Sequence, residues 1–361
     1  MSNRLLQQLD IVYPIIQAPM AGVSTPELAA AVSNAGGLGS LGLGASSVSQ
    51  ARALIDKTRR LTDRAFNVNL FCHLPAPRDE QVEARWLERL RPAFALTGSQ
   101  PPAALTEIYQ TFLGHEAMLE LLLELAPPVV SFHFGIPSRE VILRLQERGI
   151  VTMATATSVE EARQIEAQGV DIVIAQGYEA GGHRGIFDER GDDQQLSTFT
   201  LVQSLKRAVG LPIIAAGGIM DGAGICRAMS LGAEGVQLGT AFLLCPESAA
   251  DSGYRQAIKA GPDPQTLLTA AISGRPARCI HNGWRALAHQ VAASEIPAYP
   301  LAYAAGKALA TAAKAGGDER YGAHWAGQGV GLIRELSATE LMETLIHECG
   351  LRQRREKEQE R

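Results

Sequence analysis

Val170-Asp171-Ile172-Val173-Ile174-Ala175-Gln176-Gly177-Tyr178-Glu179-Ala180-Gly181-Gly182-His183-Arg184-Gly185 is the stretch that decides the fold. Its first part, Val170 to Ala175, is an almost unbroken apolar run, as in a parallel strand covered on both faces. Its second part is a glycine-rich loop that carries an imidazole away from the strand's C-terminal end. Glycines there let backbone approach a flat ligand closely, because no Cβ intervenes. A titratable ring beside such a platform points to redox or proton chemistry, and functional residues concentrate on loops held by rigid scaffolds.

Seven further runs share this character: Ile15–Pro19, Leu38–Leu41, Phe66–Leu70, Val129–Phe134, Val151–Ala154, Ile213–Ala216 and Gly235–Leu238. Together with Ile172–Ala175 they make eight. Helical patterns alternate with them at Pro26–Ala35, Val48–Thr58, Arg139–Arg148, Val159–Ala167, Thr200–Ala208 and Gly222–Leu231. Ser158 and Glu161 predict a capping box before the fourth of these. Eight strand-helix units in series predict an α/β fold of the TIM (β/α)8 barrel type. Two segments break the repeat. Leu74 to Pro128 predicts an elaborated connection with extra helices. Cys245 to Gly329, with helical stretches at Tyr254–Ala260 and Leu301–Ala313, predicts a smaller, mostly helical inserted domain. The expected division is a barrel over 1–244 and 330–361 and an insert over 245–329. Ser337 and Glu340 predict the cap of a last amphipathic helix, packed back onto the barrel.

The chain has 361 residues, of which 46% are hydrophobic, and a net charge of −5. That is ample for one large core and offers no basic face for nucleic acid. The tail Arg352–Arg361 mixes charges and reads as a solvated helix end. Five cysteines without a C-x-x-C pair argue against a disulfide framework or a zinc ribbon. Cys226 and Cys245 read as small core residues, and no metal is expected. No leader-like segment or bilayer-length apolar run is visible, so a cytoplasmic enzyme with no membrane partner, monomeric or homodimeric, is expected.

The ends of the strands carry the chemistry. Gly217-Gly218 follows the seventh run and Gly239-Thr240 the eighth. Glycine turns in these two slots, beside helix starts, are the phosphate site of many barrels, because backbone N–H groups point at the anion. Gln17, Pro19, Met20 and Ala21 leave the first strand, Asn67 and Asn69 end the third, and Gln176 ends the sixth. All face one barrel end. Their amides match the donor and acceptor edge of an isoalloxazine. Gly37-Leu38-Gly39-Ser40-Leu41-Gly42 satisfies G-x-G-x-x-G, but it overlaps a strand and does not open a helix, so a dinucleotide fingerprint is not expected. A sugar-phosphate lyase or isomerase could use the same glycine turns, although no lysine sits at a strand end to form a Schiff base.

Gln17-Ala18-Pro19-Met20, Ala35-Gly36-Gly37-Leu38-Gly39, Asn67-Val68-Asn69, Glu179 to Gly185 and Gln237-Leu238-Gly239-Thr240 together resemble the nitronate monooxygenases, class I in particular. The resemblance runs from about Ile15 to at least Lys307. FMN-dependent enoyl-acyl-carrier-protein reductases carry a similar glycine-glycine-histidine loop, so an FMN-dependent NAD(P)H reductase acting on an enoyl thioester or quinone stays open. The family resemblance implies a TIM barrel with non-covalent FMN that oxidises alkyl nitronates with O2 to a carbonyl product and nitrite. Propionate 3-nitronate is the implied substrate. FMN contacts carry over to Met20, Asn69, Gln176, Gly181, Gly218, Gln237, Gly239 and Thr240, with Pro19, Ala21, Gly217 and Leu238 beside them. His183 carries over as the catalytic residue, as base or as anion-positioning group. Tyr109, Tyr299, Tyr303 and Lys307 carry over as the substrate pocket. The last three are spaced i, i+4, i+8, which stacks them on one helical face.

Overall fold

A computed structural model describes residues 4–189, 191–261 and 264–353. Eleven strands follow in chain order: β1 Ile15–Gln17, β2 Gly39–Gly42, β3 Phe66–Phe71, β4 Val129–His133, β5 Val151–Ala156, β6 Ile172–Gln176, β7 Gly182–His183, β8 Ile213–Ala216, β9 Gly235–Leu238, β10 Thr266–Thr269 and β11 Ala277–Ile280. Eight of them form one parallel sheet in the order β1-β9-β8-β6-β5-β4-β3-β2. A parallel bridge between Ile16 and Leu38 joins its two edges, so the sheet is a TIM-type barrel. The eight apolar runs are these eight strands. They read as continuous because side chains on both faces are buried: Ile16, Met153, Ile174 and Ile214 fill the interior, while Val68, Val130, Val173 and Val236 face the helices.

The G-x-G-x-x-G glycines serve packing. A Cβ on Gly39 would overlap the backbone of Ala29 in the helix Pro26–Asn34, and one on Gly42 would press on the Ala21 amide at the barrel mouth. The connection after β3 holds two helices, Glu80–Leu96 and Glu116–Leu125. The first contributes Trp86, Leu90 and Phe94 to a second core shared with Leu301, Tyr303 and Leu309. Within 245–329 lie helices Ser252–Lys259, Trp284–Leu287 and Leu301–Ala315, and also the hairpin β10–β11. β11 pairs antiparallel with β7, registering Ala277 with His183 and Arg278 with Gly182. This three-stranded sheet was not visible in the sequence pattern, and it ties the histidine loop to the segment after β9.

Three local expectations change. Ser158 does cap its helix at Glu161 N, but the Glu161 carboxylate does not complete the box. It accepts instead from Thr157 N (2.6 Å), Thr157 Oγ1 (2.8 Å) and Phe187 N (2.8 Å), a tighter set of donors for a buried charge. Cys226 is not a core thiol: it is only partly buried and is disulfide-bonded to Cys349, joining the helix Gly222–Ser230 to the end of Ala338–Glu348. Cys245 is buried and free, as expected. Tyr299 precedes the helix Leu301–Ala315, joined to its cap Pro300 by a cis bond, so the aromatic stripe is helical only from Tyr303 onward. The final helix carries the full Ser337–Glu340 capping box. Positions 354–361 of the charged tail lie outside the described residues, and none of the described helices is long and apolar enough to cross a membrane.

Candidate active site

One cavity of about 590 Å³ opens at the C-terminal end of the barrel strands. It is lined by Pro19, Met20 and Ala21 after β1, Asn69 in β3, Gln176 in β6, Gly181 and His183 in the loop beyond, Gly217 and Gly218 after β8, and Gln237, Leu238, Gly239 and Thr240 in and after β9. Tyr109, Tyr299, Tyr303 and Lys307 line it from the other side. Gln17 and Asn67 do not reach it. Gln17 is fully buried, its Oε1 accepting from Ser40 N (2.8 Å), and Asn67 donates to Ser40 and Ser131 hydroxyls inside the barrel.

The glycine turn after β8 is preformed. Gly217 and Gly218 adopt φ of 118° and 69°, a region that strains any residue with a Cβ. Among the described residues no hydrogen bond engages the Gly218 or Ile219 amides. The unengaged donors at this turn are therefore loop amides. The following helix is already capped: Asp221 accepts from Gly224 N and Glu348 from Gly222 N, both at 2.8 Å. After β9 the chain makes only a three-residue 3-10 turn, Thr240–Phe242. Thr240 Oγ1 accepts from Gly327 N (2.9 Å), which leaves its own O–H free to donate.

The histidine loop is held from several sides. The buried Arg184 pairs with Asp193 at 2.8 Å and donates to the Gln176 and Gly177 carbonyls, both at 3.1 Å. Gln176 is largely committed to the same loop: its Nε2 donates to His183 O (2.9 Å) and its Oε1 accepts from Gly185 N (2.7 Å). His133 Nε2 also donates to His183 O (3.2 Å), which fixes the His133 tautomer and leaves Nδ1 to accept from Thr155 Oγ1 (3.1 Å). The His183 ring meets Ser273 Oγ through Nε2 (2.9 Å) and stands among Trp325, Tyr299, Phe134 and Tyr303, with ring centroids 5.0, 5.5, 5.6 and 5.9 Å away.

This apolar box sets the protonation states. Burial, reinforced by His133 and Arg275, lowers His183 from 6.5 to about 3, so its imidazole is neutral. Burial lowers His133 to about 4. The same cause raises Tyr109 and Tyr303 to about 12 and Tyr299 well above its usual range. All three phenols are thus O–H donors. Lys307 Nζ lies 5.1 Å and 5.6 Å from the Tyr109 and Tyr303 ring centroids and is the cation beside the aromatic box; Lys314 lines the same cavity, paired with Asp251.

Three buried polar atoms of cavity-lining residues lack any protein partner among the described residues: Gln237 Oε1, Tyr299 Oη and His324 Nδ1. An unmade hydrogen bond of this kind costs about 1–3 kcal/mol. An acceptor on the barrel floor, unengaged amides at Gly218 and Ile219, and a Thr240 hydroxyl suit a planar heteroaromatic with an N–H edge and a phosphoryl tail, so these residues fit FMN. His133, Phe134, Ser273, Arg184 and Trp325 were not singled out from sequence. β4 delivers His133 and, directly after it, Phe134, Arg184 is the next residue in the loop, and the pairing of β7 with β11 and the returning segment near Trp325 bring Ser273 and Trp325 to His183.

A family model described as nitronate monooxygenase matches residues 2–348. The chain is 55% identical over 344 residues to a nitronate monooxygenase of Paraburkholderia phytofirmans, covering 95% of this chain and 94% of the relative. It is 51% identical over 348 residues to a nitronate monooxygenase of Pseudomonas aeruginosa, covering 96% and 99%. Among solved structures it resembles a nitroalkane oxidase from Streptomyces ansochromogenes, with a TM-score of 0.88, 40% identity and coverage of 96% and 98%. FabK from Thermotoga maritima aligns with a TM-score of 0.73 at 30% identity, covering 99% of each chain.

Proposed function

The chain belongs to the nitronate monooxygenase family, and on that premise we propose that it holds FMN in the barrel mouth and oxidises alkyl nitronates with O2 to a carbonyl compound and nitrite. Propionate 3-nitronate is the proposed substrate. The observation that carries the reading is the single cavity that joins the glycine turns and the orphaned Gln237 acceptor to the His183 aromatic box and Lys307.

Bound FMN would supply the one-electron chemistry between nitronate and oxygen. Its phosphoryl group would be held by amides around Gly218 and by Thr240, and its ring edge by Gln237 and Asn69. Asn69 already donates to Ser131 Oγ (2.9 Å) and keeps its carbonyl oxygen available. The protein's own work is then to bind and orient an anion out of water. Tyr299 and Tyr303 donate phenolic hydrogen bonds to it. The aromatic walls exclude solvent, which strengthens those bonds. Lys307 at the rim attracts a substrate carboxylate.

His183 fits the same task. An imidazole whose conjugate acid forms only near pH 3 is a weak base toward a carbon acid. We therefore assign it to positioning a pre-formed nitronate and not to deprotonating a nitroalkane. Ser273 Oγ can direct its proton to His183 Nε2 or to the Arg275 carbonyl at 3.1 Å. When it bonds His183, Nδ1 carries the hydrogen and becomes a donor to the anion.

The test is turnover of propionate 3-nitronate with paired nitrite and O2 assays, beside anaerobic mixing with NADH and NADPH. Equal nitrite release and slow flavin bleaching by either nicotinamide support the proposal. Fast bleaching with no nitrite would favour the reductase alternative.

A further inference from the structure

Asp251, Glu319 and His324 converge on the cavity wall, each offering a ligand atom within 4.8 Å of the other two. We propose that they form a binding site for one divalent transition-metal cation. His324 carries the argument. It is 6% exposed, its Nδ1 is buried without a partner, and its ring stacks on Tyr254 at 5.0 Å. A buried imidazole nitrogen left unbonded is costly and calls for an ion or a water. The Glu319 carboxylate makes no hydrogen bond or ion pair among the described residues. It lies against Gly253, where a Cβ would overlap its carboxyl group. Asp251 uses Oδ1 to cap Tyr254 N (2.8 Å) and meets Lys314 Nζ with Oδ2 at 2.5 Å.

The site is a little open. Zinc bonds of about 2.0–2.2 Å place tetrahedral ligand atoms roughly 3.4 Å apart, so groups already within 4.8 Å of one another need at most a small closure, which the two carboxylates can supply. Both stand on accessible surface. Lys314 now fills the place of the cation. That pair is half exposed, so a metal displaces the ammonium into water at small cost. One imidazole with two carboxylates favours zinc or a neighbouring transition metal over magnesium. The cation would fasten the 319–324 turn. The next residue, Trp325, lies against His183, and Gly327 bonds Thr240.

The test uses untagged protein as purified, dialysed against Zn2+ or Mg2+ and then against metal-free buffer, with bound metal counted per chain. One retained zinc and no magnesium are expected. His324→Ala and Glu319→Gln should each weaken zinc binding at least about tenfold, since even the loss of a group that only orients a ligand costs about that much. Lys314→Met should tighten it by removing the competing cation, and circular dichroism confirms that each variant is folded. Failure of wild type to retain zinc overturns the proposal. So does zinc that persists in both ligand variants, or a Lys314→Met variant that binds less tightly.

Discussion

Lys307→Met should separate carboxylate-bearing nitronates from simple ones. The Lys307 ammonium is exposed and sits over Tyr109 and Tyr303 at 5.1 and 5.6 Å. A carboxylate about 4 Å away gains about 1 kcal/mol in a water-like medium and about 4 kcal/mol at the lower dielectric of a protein surface. Exposure of this lysine places the pair at the low end of that range. About 1 kcal/mol is a factor of about five. KM for propionate 3-nitronate should therefore rise about five-fold, while KM for an alkyl nitronate without a carboxylate stays within about two-fold. kcat should hold for both, because the contact is equally strong before and during reaction. Added salt should raise the wild-type KM for the carboxylate substrate and leave that of the variant flat. Steady-state nitrite assays on the two substrates decide the matter. Equal KM changes for both, or a loss confined to kcat, would refute an anion-anchoring role for Lys307.

Two further outcomes follow from the buried groups. His73, His133 and His183 titrate at about 4, 4 and 3 in place of 6.5, with burial the chief cause in each. The folded chain thus binds fewer protons than the unfolded chain below pH 6.5. Their contribution to stability is complete above that value and is lost as pH falls toward 4, at up to about 4 kcal/mol per pH unit. Thermal melts between pH 7 and about pH 4 should show a steadily falling Tm, and a flat profile would contradict these burial effects. Glu161→Gln places an amide N–H against the donors now held by the 8%-exposed Glu161 carboxylate. A loss of about 2–3 kcal/mol, a few degrees in Tm for a chain of this size, is expected by calorimetry, and an unchanged Tm would mean that the carboxylate is not needed.

The barrel was legible because parallel strands with two covered faces read as apolar runs, and eight of them recur. The glycine turns and the His183 loop were legible because glycine at strand ends has few other uses. What escaped notice depends on long-range pairing. Thr266–Thr269 and Ala277–Ile280 are four-residue strands with no clear alternation, and their partner is the two-residue strand Gly182–His183. Trp325 and Ser273 reach His183 only through that pairing, so no local spacing announces them. Asn67 was misread because it points into the barrel like Asn69 but two residues deeper, and Gln17 because its amide is taken up by Ser40 N and Ser24 Oγ. Glu161 left its box because buried loop donors outcompete the reciprocal cap. Cys226 and Cys349 are 123 residues apart, a separation that carries no signal of contact.

The most direct measurement is a crystal structure of the protein as purified. The account expects FMN in the barrel mouth, with its phosphoryl group on the Gly218 amide and the Thr240 hydroxyl, an isoalloxazine N–H on Gln237 Oε1, and His183 facing the ring. Electron density for a flavin elsewhere, or a mouth that admits none after soaking with excess FMN, would contradict it.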